Sequence, residues 1–271
     1  AKFIEKNASN LTRKEVGMIV PSVYEKRFVQ LAPKHRKIYD EFEENWYSKF
    51  LQEMMGADLS KFSIEQYATQ FATVAQNYLH QLSCGYPKRE SVQKVYQGHH
   101  KTNELVSLLR NELAGEKVVI WCHYTEDIKN IAIRLRELYG EKALTGEHAI
   151  LQGGQTASLR ERELNRWRTD PDCHYLICQI AVASMGMDLS VSDTQIFFSK
   201  PWSANLVLQA QERLFHPEKK DKGILTLDII TENTVDEDIY KSHIDKKSDS
   251  SVLKYFIKRT RFKNPLEKVV A

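Results

Sequence analysis

Gln209, Arg213 and His216 stand four and three residues apart in the run Gln209-Ala-Gln-Glu-Arg-Leu-Phe-His216. At helical spacing they share one face. A stripe of amide, guanidinium and imidazole donors suits phosphate oxygens, which a guanidinium grips through a planar fork. The plainer reading is an exposed face with an Arg–Glu pair. Upstream, Gln179 opens the run Gln-Ile-Ala-Val-Ala-Ser-Met-Gly-Met-Asp-Leu189. Its small residues, Ala181, Ala183, Ser184 and Gly186, let backbone approach a ligand or a second segment closely. Asp188 can accept from a ribose hydroxyl or pair with an arginine; the alternative is a capping residue in a tight connection. A third run, Gln152-Gly-Gly-Gln-Thr-Ala-Ser-Leu-Arg160, opens a helix with Thr156 or Ser158 as its cap. Amides exposed at a helix start suit an anion, a nucleic-acid phosphate included. A plain capped turn would use the same residues.

Several chemistries lack their residues. No GxxxxGK[ST] run occurs, so no Walker A loop cradles β- and γ-phosphates here. No pair of acids stands at a strand end for metal-assisted hydrolysis, and no metal ligand set is expected. Cys84, Cys122, Cys173 and Cys178 form no CxxC pair, which counts against zinc-ribbon and thioredoxin readings and favours buried reduced thiols. No apolar run nears the roughly 18 residues of a membrane helix. The opening AKFIEKNASN lacks the apolar core of a signal peptide. With 42% hydrophobic and 28% charged residues, the 271-residue chain reads as soluble and intracellular, without a membrane partner. Its net charge of +3 hides a basic end: residues 246–271 sum to +6 and can meet phosphate backbones or simply be solvated.

The candidate residues need a scaffold. Continuous β-branched and aromatic runs predict strands at 118–124, 148–151, 174–180, 194–199 and 223–230. Amphipathic stretches at 101–113, 126–139, 156–168, 203–213 and 235–243 predict helices between and around them. Alternation of that kind means an α/β doubly wound parallel sheet, with functional groups at the carboxyl ends of its strands. Before it, Tyr24–Leu31 alternates as a strand, Pro33 starts a helix, and 63–82 carries another helical pattern. The expected organisation is a mainly helical region over 1–95, the α/β lobe over 96–247 and a basic extension over 248–271.

The motifs are weak singly, but their order is not. Val118-Val-Ile-Trp-Cys-His-Tyr-Thr125 resembles the "VLIFSQFT" strand of helicase motif IV. Gly153-Gly-Gln-Thr with Arg160 and Asn165-Arg-Trp167 resembles "GST…R…DRF". Gln179–Leu189 is similar to motif V, and Pro201-Trp-Ser with Gln209-Ala210 and Arg213 to "WNP…QAxxR" leading into motif VI. Thr234-Val-Asp-Glu-Asp-Ile239 before Lys246-Lys247 is similar to "TIDExI…K". Residues 23–50 look like the region between the two lobes. Over about 18–247 the chain therefore resembles the second RecA-like lobe of superfamily 2 motors of the Swi/Snf branch, with wording closer to bacterial or viral forms.

The resemblance implies a DNA-dependent ATPase that translocates on or remodels duplex DNA. ATP and Mg²⁺ would sit between this lobe and an N-terminal RecA-like lobe that carries Walker A. Matched by position, Arg213 and His216 are the catalytic candidates, and Gln209, Gly186 and Asp188 the nucleotide-side ones. Gln179, Ile180 and Ser184, the turn Gly154-Gln155-Thr156, and His123-Tyr124-Thr125 are the DNA-side candidates. This chain alone would be inactive. It would work in the cytoplasm of a bacterial or virus-infected cell, or in a eukaryotic nucleus. The departures are specific. His216 stands at the second motif VI arginine and Lys219 at the last glutamine. Ser184 replaces a motif V glycine, and Trp202-Ser203-Ala204 replaces Trp-Asn-Pro. A neutral imidazole is no substitute for a permanent guanidinium fork. His216 thus also favours a second reading, a non-catalytic RecA-like DNA-binding module; a motor for a restriction or repair complex is a third.

Overall fold

A computed structural model of the chain describes residues 22–56, 64–86, 98–139, 148–216 and 223–244. Six runs form strands: β1 (Ser22–Val29), β2 (Val118–Cys122), β3 (His148–Leu151), β4 (Tyr175–Gln179), β5 (Thr194–Phe197) and β6 (Ile224–Thr231). They make one parallel sheet in the order β1-β6-β5-β2-β4-β3. Every residue of β2 and β5 is buried, which is why those runs carry no polar alternation. Around the sheet lie the helices α1 (Pro33–Gly56), α2 (Ile64–Cys84), α3 (His100–Ser107), α4 (Thr125–Tyr139), α5 (Ala157–Thr169), α6 (Ala204–Gln211) and α7 (Val235–Ile244).

Strand alternation divides the core. Ile120, Ile177 and Ile196 face one side, against Leu105 and Leu109 and against Ile128, Ile131 and Leu135 of α4. Val119, Trp121, Leu176 and Cys178 face the other, against Trp167 of α5 and Val207 and Ala210 of α6. A third cluster joins Tyr39 of α1, Tyr78, Leu79 and Leu82 of α2, and Val235 of α7. The sheet is therefore covered on both faces, and its carboxyl edge is left to the turns that follow the strands.

Two elements differ from the sequence expectation. The helix predicted over 101–113 changes at Leu108 into a π turn spanning Leu108–Glu112. The strand expected near 24–31 spans Ser22–Val29 and pairs with β6 in full register, from Ser22 beside Ile224 to Val29 beside Thr231. The partly helical region before residue 95 thus contributes an edge strand to the same sheet. β1 is largely exposed, so its own pattern carries little sign of that partner. The basic extension over 248–271 and Lys219 lie outside the described residues.

Candidate functional site

Because all six strands run parallel, the turns after β2, β3, β4 and β5 collect at one edge of the sheet. After β3, the chain folds back on itself. The Gln155 amide accepts from the Gln152 backbone N–H at 2.9 Å and donates to the Ile150 carbonyl at 3.0 Å. Gly154 has φ +83°, a conformation that a side chain disfavours. Thr156 is the N-cap of α5, its hydroxyl accepting from Leu159 N–H at 3.2 Å. Gln155 is therefore occupied in closing the turn, while Gly154 and Thr156 are exposed at the edge.

After β4, residues Ile180–Met185 form a 3-10 turn ended by Gly186 in the left-handed region, φ +70°. Nothing lies within 4 Å of a Cβ built at Gly186, so backbone conformation, not space, requires glycine there. Ser184 sits on this turn. Ile180 is 1% exposed, in the core beside Leu176 and Leu189, so its side chain packs and cannot meet DNA. Gln179 turns its side-chain oxygen to Gly153 N–H at 2.8 Å, tying the exit of β4 to the turn after β3.

The segment after β4 and the turn after α6 meet through the backbone: Leu189 N–H donates to the Arg213 carbonyl at 2.9 Å. Asp188 is exposed and accepts from Ser190 N–H at 2.9 Å. Burial works to raise its pKa, but the Ser190 backbone and hydroxyl, then the charges of Arg168 and His216, hold it below the usual carboxylate value. Arg168, which no motif singled out, also donates to the Asp188 carbonyl oxygen. The fold thus brings Asp188, Arg168 and His216 together and joins the Arg213 backbone to the next residue, Leu189.

One expectation is corrected. Gln209, Arg213 and His216 do not lie on one continuous α-helix, because α6 ends at Gln211 and a 3-10 turn follows over Glu212–Leu214. Phe215 is extended, φ −74° and ψ 129°. His216 precedes Pro217, whose ring disfavours a helical residue before it. Gln209 stays exposed on α6, while Arg213 and His216 are half-buried beyond its end.

The turn after β2 also differs from expectation. Tyr124 and His123 point into a polar cluster: the Tyr124 hydroxyl lies 3.0 Å from His80 Nδ1, and the His80 and His123 rings stack with centroids 5.9 Å apart. Burial, and then the nearby His80, push the His123 pKa down to about 3. Its imidazole is therefore neutral at physiological pH and offers no positive charge to a phosphate. His123 N–H donates to Ser199 Oγ at 2.7 Å and Tyr124 N–H to Asp127 at 3.2 Å. Of the three, only Thr125 is exposed.

That cluster is the feature sequence reasoning missed. Lys101 is 0% exposed; its Nζ donates to the Phe198 carbonyl at 2.7 Å and lies 2.6 Å from Asp236. Asp236 also accepts from Thr231 N–H at 2.9 Å, and His80 is 3.6 Å from its second oxygen. Burial alone would raise the Asp236 pKa; Lys101 and His80 outweigh it and hold it well below the usual range. Asp127 is the opposite case. Burial raises it to about 6, against a hydrogen bond of 2.5 Å from Ser199. The ionised form is thus disfavoured by folding. Asp127 adds stability below its ordinary value of 3.8 and loses it as pH rises to about 6. In Asp127→Asn that pH-dependent component is expected to vanish between about pH 4 and 6, measured by urea unfolding across the range. An unchanged profile would show that Asp127 is not the titrating group.

Among the described residues, no group of three or more His, Cys, Asp or Glu side chains is arranged to hold a metal ion. None of the described helices is long and apolar enough to cross a membrane.

The class these features define is an α/β lobe on one parallel sheet, with Asp188, Arg168 and the Arg213 backbone gathered at its carboxyl edge. Residues 100–217 match the family model described as the helicase conserved C-terminal domain. Among curated proteins, the human "Lymphoid-specific helicase" is 27% identical over 113 residues, 42% of this chain and 13% of that protein. The "Chromatin-remodeling ATPase INO80" of Candida albicans is 25% identical over 149 residues, 54% of this chain and 10% of that protein. This chain therefore spans a small part of these relatives. The solved "C-terminal part of Fun30 ATPase domain" aligns with TM-score 0.61 at 15% identity, over 89% of this chain and 98% of that one. A "Sulfolobus solfataricus SWI2/SNF2 ATPase core in complex with dsDNA" aligns with TM-score 0.63 at 16% identity, over 90% of this chain and 48% of that one. At such identities the structures establish the fold. The bacterial or viral leaning read from the divergent motifs is not borne out, since these curated relatives are eukaryotic.

Proposed function

We propose that this chain is the second motor lobe of a DNA-dependent ATPase that translocates on or remodels duplex DNA. The observation that carries the reading is the junction of the 186–189 segment with Arg213, within a region matching the helicase C-terminal model. ATP and Mg²⁺ supply the transferable phosphoryl group and its charge neutralisation, in a site shared with an N-terminal RecA-like lobe. In that site Arg213 provides a trans-acting positive charge to the developing γ-phosphate charge. Asp188, held as a carboxylate, and Gly186 form the wall toward the nucleotide, and Gln209 reaches it from α6. An ionised Asp188 with Arg168 and His216 near it, and the half-buried Arg213 on the adjoining turn, fit an anionic, polyhydroxylated ligand better than an apolar one.

Duplex DNA lies against the turns after β3 and β4, where Gly154, Thr156 and the 3-10 turn bearing Ser184 come to the edge. Thr125 adds a hydroxyl from the turn after β2. Contacts of this kind go to phosphates, so binding is salt-sensitive and largely blind to sequence. The names of the curated relatives support a nuclear setting.

ATP hydrolysis by the longest natural polypeptide containing this chain, with and without duplex DNA at low salt, tests the proposal. The expected result is DNA-stimulated turnover, and none from this chain by itself. Turnover by the isolated chain would refute the shared site. Duplex binding without turnover in the long form would instead favour the non-catalytic module, which the imidazole of His216 at an arginine position supports.

A further inference from the structure

We infer that Gln179 is a positioning residue that fastens the turn after β3 to the exit of β4, so that two DNA-facing segments hold one fixed spacing. The inference rests on the functional reading above for what those segments face.

The geometry assigns the orientation of the amide. A backbone N–H can only donate, so the atom 2.8 Å from Gly153 N must be the side-chain oxygen of Gln179. The approach is close: a Cβ added at Gly153 would stand 3.3 Å from that same oxygen. Gly153 does not have the positive φ of its neighbour Gly154, so a Cβ there meets no backbone strain and would crowd only the Gln179 oxygen, by a few tenths of an ångström. β3 and β4 are already paired, with Leu151 beside Cys178. The bond from Gln179 to Gly153 extends that pairing one step beyond the last ladder residues, by a side chain where the backbone has begun to turn. On the far side, Gln155 ties the same turn to Gln152 and Ile150. With both ties made, the turn has little freedom relative to the sheet. A phosphate oxygen only accepts, so it could be met only by the Gln179 NH2; the oxygen is held by Gly153.

Two variants of this chain test the inference from opposite sides. Gln179→Met keeps length and removes the acceptor; Gly153→Ala crowds it. Each is expected to speed hydrogen exchange at the residue 153 amide by roughly tenfold, the scale of one lost hydrogen bond. Each should weaken binding to a 20-base-pair duplex of arbitrary sequence by about three- to tenfold at low salt. The double variant should be no weaker than the poorer single one, because both remove the same tie. Gln179→Glu, which keeps an acceptor, should retain slow exchange at Gly153. Unchanged exchange in Gln179→Met would overturn the tie. Fully additive losses of affinity would show a direct phosphate contact by Gln179 and overturn the positioning role. Failure of the unaltered chain to bind duplex at all would refute the functional reading, while the exchange rates would still judge the tie.

Discussion

Arg213→Ala, in a polypeptide carrying both lobes, is expected to lower kcat for ATP by roughly two orders of magnitude or more, the scale of other trans-acting arginines. The substitution preserves the backbone junction with Leu189. The Arg213 backbone, not its side chain, accepts the hydrogen bond from Leu189 N–H. Alanine therefore removes the guanidinium while leaving the junction of the two segments in place. Arg213 also sits in a 3-10 turn that alanine tolerates. A charge contributed mainly in the transition state should change kcat more than KM. Steady-state hydrolysis with saturating duplex measures both, and an unchanged kcat would remove Arg213 from the catalytic residues. His216→Arg offers the converse: restoring a permanent guanidinium should leave turnover equal or raise it. A loss on that change would mean that the imidazole itself is used.

Asp236→Ala is expected to cost about 3–5 kcal/mol of folding stability, because it strands Lys101 as an uncompensated buried charge. Lys101 is 0% exposed and would be left with the Phe198 carbonyl as its hydrogen-bond acceptor. The Thr231 N–H and His80 would lose the same carboxylate. The loss should therefore spread over α2, α3, β6 and α7 at once. Replacing both partners, Lys101→Met with Asp236→Leu, should recover much of the stability, since an apolar pair needs no compensation. Urea unfolding at pH 7 gives the comparison; a cost below about 1 kcal/mol for Asp236→Ala would place the pair in solvent. The pH dependence has a definite sign. The folded pKa of Asp236 lies below its ordinary value of 3.8, so its contribution is present above that value and is lost on acidification below it. This opposes Asp127, whose contribution grows on acidification below about pH 6.

The candidate edge was legible wherever the signal was local. Thr156 as a cap is a matter of one turn of chain, and the capping bond is there. Gly186 was singled out for close backbone approach, but nothing crowds a Cβ there; glycine suits the position by its left-handed conformation, which only the folded turn reveals. The helical stripe of Gln209, Arg213 and His216 failed because spacing assumes that the helix continues, while Pro217 and the 3-10 turn end it first. His123 and Tyr124 were assigned to the edge by their place after a strand. Which way a side chain turns depends on what packs above it, and here that is His80 from α2, 43 and 44 residues away in sequence.

By itself the sequence determined the α/β alternation, the parallel sheet and the order of the motifs. Those follow from strand runs buried on both faces and from helices with one apolar stripe, properties carried within each segment. Only the tertiary structure decided that β1 completes the sheet beside β6, that Lys101 meets Asp236, and that Gln179 holds Gly153. Each of those joins residues from separate elements through one hydrogen-bond ladder or one polar contact. A lysine destined for burial looks like any surface lysine until its carboxylate arrives from the other end of the chain.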